Sequence, residues 1–164
     1  MTLIKSSDKK MKYYAGIDPS LSASGVIVVD ENGLVRDEFL VKSWPDSMNV
    51  YLSAEQRIID IFENIINPIS DCSRFYIEDV GYMSKDSKLF ERVALIFMVR
   101  CFLFEKDLPF KVIAPKSLKK WTTGNGNADK NMMKSKVEER WGIKYDDDNL
   151  ADAFGLARMA LQGV

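Results

Sequence analysis

Three places along the chain set an acid or an amide at the border between an apolar run and a polar turn. They are Asp18, closing Tyr13-Tyr14-Ala15-Gly16-Ile17-Asp18; Glu78, closing Arg74-Phe75-Tyr76-Ile77-Glu78; and Asp148, Asn149 and Asp152 in Asp148-Asn149-Leu150-Ala151-Asp152-Ala153. Side chains at such borders converge on one point if the strands that carry them are parallel neighbours. A group of carboxylates repels itself and favours hard cations, and Mg²⁺ takes oxygen ligands. Two such ions, roughly 3.5–4 Å apart, stabilise both the attacking and the leaving oxygen of a phosphodiester. The chemistry that these residues first suggest is that of a metal-dependent nuclease.

The composition narrows the choice. The sequence contains no histidine, which excludes histidine triads, histidine general bases and most zinc sites. Its two cysteines, Cys72 and Cys101, are far apart in sequence; they read as reduced, buried thiols rather than as a disulfide or a metal pair. Met1–Lys12 is polar and lysine-rich, with none of the apolar run of a signal peptide. Val93–Phe104 is apolar but is interrupted by Arg100 and is too short to span a bilayer. The expectation is a protein of the reducing cytoplasm with no membrane partner. A net charge of −1 argues mildly against a nucleic-acid partner, but it averages over a split. Lys111 to Lys144 holds nine basic and three acidic residues, and Asp146, Asp147 and Asp148 follow at once. A basic segment beside a carboxylate group suits a phosphodiester-cutting site; a solvated helix face is the plainer reading of the same charges.

The elements that must position these residues are legible from their patterns. Lys12–Asp18, the β-branched Gly25–Asp30 and Leu34–Val41 read as three antiparallel strands, with an Asn32-Gly33 turn between the last two. Ser53–Ile69 repeats isoleucine and phenylalanine at helical spacing. Arg74–Val80 is a fourth strand and Phe110–Ile113 a fifth, separated by a helix over Ser87–Lys106 that is apolar on nearly every side. Such a helix is expected to be buried all round, with one face on the sheet and the other on a second copy of the chain. A short helix from Pro115, one capped by Asp129 and closed at Gly142, and a last one over Asp148–Leu161 complete the chain. The sum is an α/β fold: a five-stranded mixed sheet with helices on both faces, in which strands one, four and five are parallel neighbours. It forms a single domain over residues 12–164 behind a flexible leader, 1–11. The small residues of Gly16-Ile17-Asp18-Pro19-Ser20-Leu21-Ser22-Ala23-Ser24-Gly25 would let backbone approach a ligand closely. An Asp in such a turn also occurs in actin-like and sugar-kinase ATPases, but those need a second lobe for which this chain is too short.

Five pieces then occur in order: Gly16-Ile17-Asp18-Pro19; the isolated Glu78; Val112-Ile113-Ala114-Pro115 leading to Leu118-Lys119; Gly124-Asn125-Gly126-Asn127-Ala128-Asp129-Lys130; and Ala151-Asp152-Ala153. Together they resemble the RuvC family of Holliday junction resolvases, over most of residues 13–161, and the compact length resembles a bacteriophage-type member. The resemblance implies a ribonuclease-H-like fold, a homodimer acting on four-way DNA junctions, and two Mg²⁺ per active site, with Mn²⁺ able to substitute. It places metal ligands at Asp18, Glu78 and Asp152, and a fourth three residues before Asp152, where Asn149 stands; Asp148, one helical turn before Asp152, is the alternative. It gives Lys119 and Lys130 supporting catalytic roles, and it makes Lys116, Lys120, Lys134 and an aromatic, Tyr82, candidates for contact with DNA. Two rival readings stay within reach: a catalytically silent junction binder, suggested by Asn149, and a ribonuclease H acting on RNA–DNA hybrids.

Overall fold

A computed structural model describes residues 11–43, 53–81 and 87–164. Tyr82 and all but the last residue of the expected leader lie outside them. The described chain alternates strands and helices: β1 (Tyr13–Asp18), β2 (Ala23–Asp30), β3 (Val35–Lys42), α1 (Ala54–Ile66), β4 (Arg74–Glu78), α2 (Leu89–Glu105), β5 (Phe110–Ile113), α3 (Pro115–Thr123), α4 (Lys130–Trp141) and α5 (Asp148–Gln162). Local chemistry sets the borders. Ser53 caps α1 by accepting from the Gln56 amide, and Pro68 ends the helix in a single 3₁₀ turn, Asn67–Ile69. Asp129 caps α4 through the Met132 amide, and Asp147 caps α5 through the Asn149 and Leu150 amides.

The sheet order is β3-β2-β1-β4-β5; β1 pairs antiparallel with β2 and parallel with β4, and β4 parallel with β5. This is the mixed five-stranded sheet expected from the sequence. Side chains alternate across it. Ala15 and Ile17 of β1, Val26 and Val28 of β2, and Phe75 and Ile77 of β4 join one apolar cluster with α1 and α2. Ile27 and Val29 pack on the opposite face with α4 and α5, and Tyr76 packs there with α3, α4 and α5. Each strand of the centre is therefore buried on both faces, which is why β2 reads as an unbroken apolar run.

Within one chain α2 is covered on one side only, as expected if a second copy covers the other, and two other expectations change. The helix α2 buries Leu95, Ile96, Val99 and Leu103 but leaves Phe90 at 88 %, Phe97 at 56 % and Phe104 at 76 % exposed. Its apolar residues outnumber what one chain can cover, because α1 and the sheet reach a single side of it. Cys72 is buried as expected, but Cys101 lies on the open side of α2 and is exposed. Gly16 and Gly25, the two glycines of the small-residue stretch, serve packing within the chain. A Cβ at Gly16 would lie 2.0 Å from the Ala153 carbonyl oxygen, and one at Gly25 would lie 2.1 Å from that of Asn149. Both glycines let α5 lie directly on β1 and β2. Among the described residues, no helix is long and apolar enough to cross a membrane.

Candidate metal centre

The positions of Asp18 and Glu78 follow from strand parity and register. Tyr14 and Gly16 in β1, and Tyr76 in β4, face α5, so Asp18 and Glu78, two residues on, face it too. The parallel register sets Ile17 beside Ile77, which brings the next residues, Asp18 and Glu78, side by side at the carboxyl ends of two adjacent strands. Asp152 sits one turn inside α5, whose close approach is made possible by Gly16 and Gly25. One carboxylate oxygen from each of Asp18, Glu78 and Asp152 lies within 4.8 Å of the others.

Asp18 and Glu78 are only 6 % and 7 % exposed, and this burial dominates their electrostatics. It raises the Asp18 carboxyl above its usual range against the pull of a hydrogen bond to Glu78 and the charges of Arg92 and Lys130. It raises Glu78 as well, and the negative charges of Asp18 and Asp152 push the same way. Side by side and out of water, the two carboxylates repel each other when both are ionised. Asp152 is pushed up to about 7 by burial and by Asp18, while Lys119 pulls it back. Three acids crowded out of water must either keep protons or gain a cation. Their donors are all hard oxygens with no nitrogen or sulfur among them, a set that fits Mg²⁺ or Mn²⁺.

The remaining sequence candidates divide by position. Asp148 is not one of the three grouped carboxylates and pairs with Lys130 at 2.8 Å and Lys134 at 3.0 Å, and these cations hold its carboxyl below the ordinary value. Asn149 donates its amide to the Asp147 cap at 2.8 Å and packs its carbonyl over Gly25. Lys130 is largely exposed, yet its charge reaches Asp18 and Asp152. Lys116 and Lys119 line an open cleft of about 930 Å³, between Ala114, Pro115, Gly126 and Asn127 on one side and Asp79, Val80, Gly81, Leu89 and Val93 on the other. Lys120 is exposed on the same short helix.

Two functional features were not read from the sequence. Arg92 is one of two arginines on the largely apolar α2, and its charge opposes the upward shift of both Asp18 and Glu78. That isolated cation, in the first turn of an apolar run, was the available signal. The turn after Asp18 is pinned by Ser24, fully buried, which accepts from the Ser20 amide at 2.9 Å and donates to the Ser20 carbonyl at 2.7 Å.

No family model matches the chain. The crossover junction endodeoxyribonuclease RuvC of Neorickettsia sennetsu is 33 % identical over 159 residues, covering 90 % of this chain and 92 % of that one. The Thermus thermophilus RuvC structure superposes with a TM-score of 0.72 at 21 % identity, over 88 % of this chain and 90 % of the other. The same protein in complex with a Holliday junction substrate gives 0.70 at 21 % identity, over 89 % and 90 %. The yeast mitochondrial Holliday junction resolvase Ydc2 gives 0.60 at 15 % identity, over 90 % and 77 %. The structural likeness establishes the ribonuclease-H-like fold, and with the identity and span of the Neorickettsia relative it shows that this chain belongs to the RuvC family.

Proposed function

We propose that the protein is a metal-dependent DNA endonuclease that resolves four-way junctions by paired, symmetric nicks. The observation that carries this reading is the meeting of Asp18, Glu78 and Asp152 from three separate elements within 4.8 Å, in a chain whose family relative is a crossover junction endodeoxyribonuclease. These three carboxylates hold two divalent ions, Mg²⁺ or in its place Mn²⁺, and the Asn149 amide is the neutral fourth donor. When bound, the ions acidify the attacking water and stabilise the leaving oxygen. Lys119 and Lys130 offset the negative charge that builds on the phosphate. Lys116, Lys120 and Lys134 contact the DNA backbone, which fixes register without reading bases. Recognition then rests on the shape of the branch. Each nick leaves a 5′-phosphate and a 3′-hydroxyl, so the resolved duplexes can be ligated. Two copies joined through the open face of α2 set two sites on one junction, in the cytoplasm of a bacterial cell or a phage-infected host.

The test is direct. A labelled synthetic four-way junction is incubated with the protein, with and without Mg²⁺, beside a linear duplex and an RNA–DNA hybrid. Paired symmetric nicks on the junction alone, requiring Mg²⁺, are expected. Binding without nicking would favour a silent junction binder, and cutting of the hybrid alone would favour a ribonuclease H.

A further inference from the structure

Lys130 and Asp148 are the first residues of α4 and α5, and both helix starts are fixed. Asp129 accepts from the Met132 amide, and Asp147 accepts from the Asn149 and Leu150 amides. Met133 and Val137 bury the inner face of α4. Lys130 and Lys134 stand four residues apart and so share one face of α4, and Asp148 and Asp152 share one face of α5 in the same way. The Asp148 carboxylate is held by both lysines at once: one oxygen lies 2.8 Å from the Lys130 ammonium, the other 3.0 Å from that of Lys134. Lys134 also donates to the Asp146 carbonyl at 3.1 Å. A line of contacts therefore runs from the backbone at Asp146 through Lys134 and Asp148 to Lys130. Its members differ in freedom. The side chains of Lys134 and Asp148 are 27 % and 28 % exposed, whereas that of Lys130 is 74 % exposed. Among the described residues, Asp148 is the acid that pairs with Lys130. A lysine so exposed, on a flexible stem, has many rotamers open to it, and a fixed partner selects among them.

We infer that Asp148 and Lys134 are positioning residues that act through Lys130: Lys134 holds the Asp148 carboxylate, and Asp148 holds the Lys130 ammonium toward the carboxylate centre, so that it meets the scissile phosphate already in place. This rests on the nuclease reading. The direction that Asp148 selects is that of the centre, because Asp152 is the next turn of the same helix face and the charge of Lys130 acts on both Asp18 and Asp152. Exposed ion pairs contribute little to stability, so the effect of this one is on placement, which counts where charge builds on a phosphate. Two ammoniums around one carboxylate leave a surplus of positive charge, so the pairing does not cancel what Lys130 presents. Lys134 uses two of its three donors within the chain, which leaves one for the DNA backbone.

Single-turnover nicking of a labelled four-way junction, at saturating protein and Mg²⁺, reads the rate of the chemical step, and fluorescence anisotropy reads junction affinity. Asp148→Asn is expected to lower the rate about threefold, the range of an exposed ion pair, with affinity within about twofold of wild type and the Mg²⁺ requirement unchanged. Lys134→Gln should lower the rate by a similar factor. Asp148→Glu, which keeps a carboxylate between the lysines, should lose less than either. Lys130→Gln should lower the rate about a hundredfold. The combination decides: in a Lys130→Gln background, neither Asp148→Asn nor Lys134→Gln should bring a further loss beyond about 1.5-fold, because residues that act through one group are not additive. Losses that multiply in the double variants overturn the inference and leave the nuclease reading intact. A Lys130→Gln protein that nicks at the wild-type rate also overturns it, as does an Asp148→Asn protein with an unchanged rate or with a higher Mg²⁺ requirement as its only change. A wild-type protein that does not nick the junction overturns the nuclease reading and the inference with it. Should Asp148→Asn not fold, Lys134→Gln decides, since α4 keeps its cap at Asp129 and its buried Met133 and Val137.

Discussion

Among the individual residues, Asp148 and Asp152 pose the sharpest contrast, because sequence spacing treats them alike and the structure does not. They stand four apart on one helix, yet Asp152 faces Asp18 and Glu78 while Asp148 is held by Lys130 and Lys134. Asp152→Asn is expected to lower nicking at least a thousandfold while junction binding stays within a few-fold, read by a nicking assay beside a gel shift. Asp148→Asn should lower nicking only a few-fold, through looser placement of Lys130. Equal losses in the two variants would make Asp148 a ligand. The titration of Asp152 gives a second expectation. Its folded-state value of about 7 stands above the ordinary 3.8, so the folded protein binds more protons than the unfolded one between these limits. Without divalent ions, its contribution to stability therefore falls as pH rises from about 4 to about 7, and Glu78, raised too, extends the decline upward. Mg²⁺ binds the ionised acids, so the rise in melting temperature it brings should grow from pH 5 to pH 8. A rise that is constant with pH would separate the metal from these acids. Much of this was legible: Asp18 and Glu78 could be found because each ends an apolar strand, and Asp152 through the closing Ala151-Asp152-Ala153. The pairing of Asp148 could not, because it depends on where α4 places Lys130 and Lys134 in space.

At the scale of elements, the site depends on α5 lying close on β1 and β2, which Gly16 and Gly25 permit. The sequence announced the strands by their β-branched runs, the helices by apolar spacing and the ends of α4 by Asp129 and Gly142, and the observed borders fall close to those expected. The purpose of Gly16 and Gly25 was not visible, since small residues in a turn serve ligand and helix approach equally well until the packing is known. A methyl group at either position meets backbone atoms of α5, which cannot swing aside as a side chain would. Gly16→Ala should therefore destabilise the protein by about 3 kcal/mol, at the upper end of the cost of overpacking. It should also lower Mg²⁺ affinity, since any relief moves Asp152 away from Asp18. Urea unfolding with a parallel metal titration checks both. Unchanged stability would mean that α5 does not approach β1 this closely.

On the scale of the whole molecule, the exposed residues of α2 repeat in a way that the buried ones do not explain. Phe90, Phe97 and Phe104 recur every seven residues, with Val93 between the first two, and all four are exposed. That spacing is the seam of two helices wound together. Exposed apolar ridges of this kind commonly mark interaction surfaces. Arg100 stacks its guanidinium over Phe97 at 5.1 Å, leaving the ring's other side for a partner. The periodicity was legible in the sequence as a helix apolar all round, but which side the chain itself covers is decided by α1 and the sheet. The proposed paired, symmetric nicks would require two sites that face two like strands, and a twofold dimer through α2 would supply them. Phe97→Glu sets a charge at the centre of that seam, in place of a ring of the kind that dominates interface energies. It should weaken self-association at least a hundredfold while leaving the fold of each chain intact, because Phe97 is more than half exposed. Light scattering reads the association and circular dichroism the fold. On a junction, this variant should still nick, since Asp18, Glu78 and Asp152 come from one chain, but its two nicks should appear independently rather than together. A Phe97→Glu protein that remains dimeric would place the partner on another surface, and one that is monomeric yet still nicks both strands in concert would remove the need for a dimer.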